Sequence, residues 1–153
     1  MIADEVGVTK AAVYHQYRTK EEIVRAAAGA EFDRVEAVLT AAESEPLPDR
    51  ARDAVLTAII DLAVVRRREM STILTDPIVG RLLAKDRRPI DLVRRLNGLL
   101  VNREGETESE MATVMLIAAI SGAVMHPLAI RRDDDMLRAE LRRLAERFLG
   151  LSA

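Results

Sequence analysis

Residues 2–23 of the chain read IADEVGVTKAAVYHQYRTKEEI, and this stretch decides how the rest of the sequence is interpreted. Residues 2–6 have helical spacing and end at Gly7, the residue type that most easily adopts the left-handed conformation after a helix. Thr9 is a good N-cap for a second helix over residues 10–17. The pattern therefore predicts two short helices joined by a tight glycine turn.

The spacing within this segment is that expected of a helix-turn-helix. Ala3 is small enough for the second helix to cross closely over the first, Gly7 supplies the positive φ of the turn, and Val13 fills the space between the helices. In a helix-turn-helix the second helix enters the major groove of DNA. A helical hairpin without a role in DNA binding is the alternative that the spacing leaves open.

Residues 2–23 also resemble the signature of the TetR family of transcriptional regulators, which runs roughly I-A-x-x-x-G-V-S/T-x-x-x-L/V-Y-x-H-F-x-x-K-E-x-L. The resemblance implies that Lys10 and Ala11 lie near base edges of operator DNA. The residues that it implies contact phosphates are Thr9, Tyr14, His15 and Lys20. Gln16 and Tyr17 stand where the family usually has histidine and phenylalanine, so the roles of those two positions are not carried over.

The chemistry of these side chains agrees with the implied roles. A lysine early in the recognition helix, as Lys10 is, can reach guanine O6 and N7 or a phosphate. Tyr14 can donate its phenolic O–H to a phosphate oxygen. Lys20 stands at the start of the next helix, where its charge and the free backbone N–H groups both favour an anion. The alternatives are a packing aromatic for Tyr14 and a solvated lysine for Lys20.

The resemblance implies a three-helix DNA-binding domain, and residue 1 corresponds to a position within its second helix. We therefore expect a preceding helix that covers the apolar faces of Ile2, Val6 and Val13. A translation start placed too far downstream, a trimmed chain or a degenerate regulator would each explain why that helix is absent. A degenerate regulator would be a helical dimer that binds a ligand or a protein and no longer binds DNA.

Helical spacing continues after this segment, and strand signals are nearly absent, so the predicted fold class is all-α. Thr19-Lys20-Glu21-Glu22 fits a capping box that opens a long helix. Its predicted apolar stripe is Ala28, Phe32, Val35 and Leu39. The Pro-containing segment 44–48 is the candidate linker, which divides the chain into an incomplete helix-turn-helix region with its connecting helix (1–43) and a second domain (44–153).

In the second domain we expect helices over residues 51–70, 77–83, 89–100, 108–125 and 133–149. The helix over 51–70 is apolar on several sides and should be surrounded at its centre. The resemblance implies a TetR-type C-terminal helical domain, whose last two long helices pair with those of a second copy to form a homodimer. The predicted apolar stripe of the last helix is Leu137, Leu141, Leu144 and Phe148, and we expect Leu141 to lie in the dimer interface.

The same resemblance implies a small hydrophobic effector, bound in a largely apolar pocket. An effector that binds one arrangement of the domains better than another would release a repressor from its operator. The candidate pocket residues are Leu62, Met70, Leu96, Met111, Met115 and His126. Core packing for the methionines and a helix-end position for His126, before Pro127, are the alternatives.

Composition excludes several other functions. The chain has no cysteine, so disulfides, thiolate metal sites and cysteine nucleophiles are absent. Its two histidines, His15 and His126, have no zinc-site spacing, and we predict no metal, no cofactor and no enzymatic activity. Residues 111–130 are about as long as a membrane span but are interrupted by Ser121, Gly122 and Pro127, so we expect a buried helix in a cytoplasmic protein.

Overall fold

Helices of the chain begin where the sequence places capping residues and prolines. The computed structural model describes residues 17, 19–67, 79, 81, 85–101 and 107–151, and within these residues α-helix is the only regular secondary structure. The predicted all-α class is confirmed. The helices are α1 (Lys20–Glu43), α2 (Pro48–Val65), α3 (Arg88–Leu100), α4 (Thr107–Met125), α5 (Pro127–Ile130) and α6 (Asp134–Phe148).

Local capping explains the starts of α1, α2 and α6. The backbone N–H of Glu22 donates to Thr19 Oγ1 at 3.1 Å, so the predicted cap of α1 is confirmed. α2 begins at Pro48, which lacks an N–H at a position where no helical partner exists for one. Asp133 caps α6 by accepting a hydrogen bond from the N–H of Asp135 at 2.9 Å. Each of these caps fixes where a helix enters the core.

The core is built around α2, which packs against α1, α3, α4 and α6. Because partners surround it, α2 is buried on more than one side, as its apolar pattern predicts. The buried side chains of α2 are Ala51, Val55, Leu56, Ile60, Ala63 and Val64. Burial of each of the larger ones contributes about 1.5–3 kcal/mol relative to exposure, so α2 is the main source of hydrophobic stabilisation among the described helices.

α1 reaches this core through its second half only. Leu39 is fully buried and Ala42 nearly so, and Phe32 and Val35 are partly buried against the same core cluster. The first eleven positions of the helix, residues 20–30, include no buried residue. α1 is therefore fixed at its C-terminal half and projects from the core at its N-terminal half.

α4 is apolar on two faces, of which the protomer covers one. Leu116, Ile120 and Val124 are buried, whereas Met111 and Met115 are 56% and 57% exposed. The buried residues recur every four positions and therefore share one side of the helix. α4 therefore has more apolar surface than the protomer covers, and the uncovered part lies on the side opposite the core.

The predicted stripe of α6 is divided between the core and the surface. Leu137 and Leu141 lie in the core, but Leu144 is 55% and Phe148 49% exposed. Ala145, which was not in the stripe, is buried instead. Since successive helical residues are about 100° apart, Leu144 and Ala145 face different directions. The expectation that Leu141 lies in a dimer interface is wrong, because Leu141 packs inside its own protomer.

Some helix boundaries and stripe members also differ from the sequence-based expectation. α2 ends at Val65 rather than near residue 70. In α3 the buried leucines are Leu92, Leu96 and Leu100, whereas Ile90 is 53% exposed. The predicted helices over residues 2–6 and 10–17, most of the helix over 77–83 and the loop over 102–106 lie outside the described residues.

Candidate nucleic-acid interface and helical core

Of the residues predicted to contact DNA, the structure describes one. Lys20 is the first residue of α1 and is exposed, directly after the cap at Thr19. Glu21 and Glu22 follow in the same first turn, and Arg25 pairs with Glu21 at 3.2 Å. Lys20 thus has the predicted place at a helix N-terminus, in a mixed rather than purely basic setting. The other predicted DNA contacts, Thr9, Lys10, Ala11, Tyr14 and His15, lie outside the described residues.

α1 connects this N-terminal segment to the core, and charged side chains hold it against α3. One guanidinium nitrogen of Arg88 lies 2.6 Å from an Asp33 carboxylate oxygen and 3.2 Å from one of Glu36. The same guanidinium stands over the ring of Phe32, with its carbon 5.6 Å from the ring centre. This distance is within the range of a cation–π interaction. Arg88 therefore contacts three residues of α1 that lie within little more than one helical turn.

A second arginine of α3 contacts α1 nearer its C-terminal end. Arg95 donates to both carboxylate oxygens of Glu43, at 2.8 and 2.7 Å, and to the hydroxyl of Thr40 at 3.1 Å. It also approaches Glu36 at 3.5 Å. The hydrogen bonds from Arg95 hold the pKa of Glu43 below its usual range. The stabilisation that the charged Glu43 side chain gives to the folded state is therefore complete at neutral pH. It is lost as the pH falls through the lowered pKa of Glu43.

Five of the six residues predicted to line an effector pocket are described, and they differ in exposure. Leu96 is buried and Leu62 partly buried, while Met111 and Met115 face outward from α4. The reason is the helical geometry of α4, which turns these methionines to the side opposite the buried residues. His126 is exposed, and Met70 lies outside the described residues.

His126 instead has a structural role at a helix junction. α4 ends at Met125, and the Nδ1 atom of His126 accepts a hydrogen bond from the backbone N–H of Leu128 at 3.2 Å. His126 is thereby the N-cap of α5, which begins at Pro127. The helix-end interpretation of His126 is confirmed, and Pro127 separates two helices as its ring geometry requires.

A buried polar cluster that the sequence did not reveal joins α3 to α4. Ser109 Oγ and Thr113 Oγ1 both donate to the side-chain oxygen of Asn97, at 2.6 and 3.0 Å. The three residues are 4%, 5% and 1% exposed for Asn97, Ser109 and Thr113. Ser109 and Thr113 are one helical turn apart, which was the only available signal. Because buried polar groups are costly without partners, this cluster favours one register of α3 on α4.

A cleft of about 300 Å³ lies between α2 and α6. Arg138 donates to Asp61 at 2.8 Å, and Arg142 donates to Thr57 at 2.6 Å and also contacts Asp53. Each of the two guanidinium groups therefore already has a carboxylate partner within the protomer. The residues that line the cleft are Thr57, Ile60, Asp61, Asp135, Arg138, Ala139 and Arg142.

The described ranges contain neither a candidate metal site nor a candidate membrane span. No group of three or more His, Cys, Asp or Glu side chains there could hold a metal ion. In that same part of the chain, no helix is both long and apolar enough to cross a membrane.

Comparison with known proteins gives one match. Residues 1–27 match the family described as bacterial regulatory proteins, tetR family. No curated protein and no solved structure matches the chain significantly. The matched segment ends inside α1 and includes the cap at Thr19 and the exposed Lys20. Proteins of this family are DNA-binding regulators of transcription rather than enzymes.

Proposed function

We propose that the chain, whose residues 1–27 match the tetR family of bacterial regulatory proteins, represses transcription as a homodimer on operator DNA in the cytoplasm and is released by a small hydrophobic effector. The family match at the N-terminal segment carries this proposal. α1 also supports the proposal, because it joins that segment to the helical core and is anchored there by Leu39.

In the proposed complex the matched segment reads DNA. Lys10 and Ala11 lie near base edges, and Lys20 contacts a phosphate from the N-terminus of α1. The further phosphate contacts are Thr9, Tyr14 and His15. Phosphate contacts fix the position of a protein on the duplex, whereas base contacts give sequence preference, so the two groups of residues have separable effects.

Dimerisation is proposed to use the open faces of α4 and α6. Met111, Met115, Leu144 and Phe148 are each about half exposed or more in the single chain. The two helices contact each other, and large apolar side chains left exposed on neighbouring helices favour an interaction site there. A two-fold arrangement places the same patch of both copies together, and four helices then enclose side chains that the protomer leaves open. Two recognition helices about 34–36 Å apart would meet successive major grooves.

The effector is proposed to bind in the core beside α2 and α3, near Leu62 and Leu96. Both side chains are apolar and lie on helices that contact α1, so a ligand between them can favour one placement of α1 over another. Differential affinity for the two placements is what release from DNA requires. The outward-facing Met111 and Met115 are assigned to the dimer interface in this proposal.

The test is fluorescence anisotropy with a duplex from the region upstream of the gene and a random duplex of equal length, across a salt series. Lys10→Ala should relax sequence preference by about 1–3 kcal/mol at one position of each half-site. Lys20→Ala should weaken both duplexes equally and lower the salt slope by about 1. Equal affinity for both duplexes at every salt concentration contradicts sequence-specific repression. An intact dimer that binds neither duplex favours the helical ligand- or protein-binding dimer instead.

A further inference from the structure

The apolar contacts of α1 with the core lie in its second half, where Phe32, Val35 and Val38 are partly buried against the core cluster. Its buried residues are Leu39 and Ala42, near its C-terminal end, and residues 20–30 contribute no buried side chain. A helix anchored at one end can pivot about that end unless lateral contacts resist it. The direction in which α1 leaves the core is therefore set by contacts along its middle.

Charged side chains add lateral contacts in this part of α1. We define the α1–α3 network as Arg88 and Arg95 of α3 with Asp33, Glu36 and Glu43 of α1. Arg88 pairs with Asp33 and Glu36, and Arg95 pairs with Glu36 and Glu43. The arginines are seven residues apart, close to two helical turns or about 10 Å, so they contact α1 at two separate levels.

Two-level contact has a geometric consequence that one ion pair would not have. A single pair allows α1 to rotate about it, whereas two pairs about 10 Å apart resist both sliding and pivoting. Arg95 also binds Glu43 through both carboxylate oxygens, and bidentate arginine–carboxylate pairs are directional as well as strong. Glu36 is shared by both arginines, which links the two levels.

A third contact supports the network from α2. Arg66, the C-cap residue of α2, donates to Glu31 of α1. Glu31 precedes Asp33 by two residues and Glu36 by five, close to the end of the projecting half. α1 is thus held by ion pairs from two helices at the point where its apolar anchoring ceases.

We propose that the α1–α3 network orients α1 on the core, and that Arg88 and Arg95 are positioning residues for DNA recognition. This rests on the proposed function for its consequence on DNA: a changed direction of α1 alters the separation of the two recognition helices in the dimer. Exposed ion pairs contribute little to global stability, so loss of the network changes geometry more than folding. High salt should weaken it, since the Debye length falls to about 3 Å at 1 M ionic strength, which is comparable to the separations within these exposed ion pairs.

The chain provides a matched control on the same helix. Arg94 is adjacent to Arg95 and pairs with Asp91 of its own helix and with Glu110 of α4, not with α1. Arg94→Gln removes the same charge and leaves α1 untouched. Any effect of lost positive charge alone on DNA binding therefore appears in Arg94→Gln as well.

The orientation of α1 can be measured without DNA. The natural chain has no cysteine, so Ala26→Cys on α1 and Ala54→Cys on α2, both at exposed positions, accept one spin label each. Double electron–electron resonance measures the distance between the two spin labels. Mixing the labelled protein with excess unlabelled protein restricts the measurement to labels within one protomer. Circular dichroism melts establish that each variant is folded.

We expect a narrow distance distribution in the parent and in Arg94→Gln, and a broader, shifted one in Arg88→Gln/Arg95→Gln. High salt should broaden the parent distribution in the same direction. Arg95→Glu should behave like the double variant, and the exchange Arg95→Glu/Glu43→Arg should restore the narrow distribution. Unchanged distances in the folded double variant overturn the proposal.

The second measurement is operator affinity by anisotropy. Arg88→Gln/Arg95→Gln should bind operator about five- to tenfold more weakly than Arg94→Gln, in the range of coupling between sites, with the dimer intact by light scattering. Changed distances with equal operator affinity overturn the role in DNA recognition. If the parent protein itself fails to bind operator, the proposed function fails, and the distance measurement still decides whether the network orients α1.

Discussion

Met115 and Leu116 are adjacent residues of α4, but Met115 is exposed and Leu116 is buried. Met115 is 57% exposed and Leu116 is 4% exposed, although both are large and apolar. The same contrast recurs on α6, where Leu141 is 6% and Leu144 55% exposed. An apolar helix with one covered and one open face indicates two separate burial events, the first within the protomer and the second, in our proposal, between two copies.

The largest effect should come from the covered face. Leu116→Ala should lower the free energy of unfolding by about 2–5 kcal/mol, because a cavity remains where a core side chain was. Urea denaturation followed by circular dichroism measures it. Leu128→Ala is the control, since Leu128 is 72% exposed and a surface change of this kind should stay within about 0.5 kcal/mol. Equal losses for the two variants would contradict the placement of Leu116 in the core.

Substitutions on the open face should change the oligomeric state rather than the stability of the protomer. Met115→Glu, and separately Leu144→Glu, should convert the proposed dimer into a folded monomer, because burying an unpaired carboxylate between copies is strongly unfavourable. Sedimentation at micromolar concentration gives the mass, and circular dichroism the helix content. Ala54→Glu introduces the same charge at an exposed site of α2 and should leave the dimer intact. A dimer that persists in both glutamate variants places the interface elsewhere.

Buried polar groups between α3 and α4 also stabilise the covered side of α4. Asn97→Ala should destabilise the protomer by about 1–3 kcal/mol, since it leaves the buried Ser109 hydroxyl without its acceptor and leaves Thr113 with the Ser109 carbonyl oxygen alone. Thr113→Val in the Asn97→Ala background should cost less than in the parent, with a coupling of about 0.5–3 kcal/mol. Denaturation of the four proteins of this cycle measures the coupling. Additive losses would show that the cluster does not act as a unit.

The smallest effect concerns the cap that starts α6. Asp133→Ala should cost about 1 kcal/mol, because the N–H groups of the first turn lose their acceptor. Asp133→Asn should cost little, since asparagine is an equally good N-cap. Thermal melts compare the two variants, and hydrogen exchange reports protection in the first turn of α6. Equal destabilisation by Ala and Asn would mean that the charge of Asp133, rather than its hydrogen bond, supports the helix.

Local signals in the sequence were sufficient for several features. The cap at Thr19 depends on residues within one turn of each other, and the structure confirms it. The start of α2 was expected at residue 51 and lies instead at Pro48. The surrounded position of α2 followed from apolar residues on several of its sides. The family resemblance of residues 2–23 was confirmed by the match over residues 1–27. The roles of Lys10 and Tyr14 and the division of the chain near residue 44 stay predictions.

Long-range contacts were beyond the reach of sequence patterns. Arg95 and Glu43 are fifty-two positions apart, and Asn97 meets Thr113 only because α3 and α4 pack side by side. A charged residue on a helix looks the same in sequence whether it is solvated or paired with another helix. The assignment of Met111 and Met115 to a pocket missed their outward direction for the same reason.

The sequence by itself determined that this chain is helical, where several helices begin, and which segment resembles a DNA-binding domain, because capping, periodicity and motif spacing are local properties. Only the tertiary structure decided which apolar face of α4 and α6 enters the core and which arginines hold α1. Two equally apolar faces have the same transfer free energy from water. The choice between them depends on which neighbouring helix reaches each face, and that is a property of the packed structure alone.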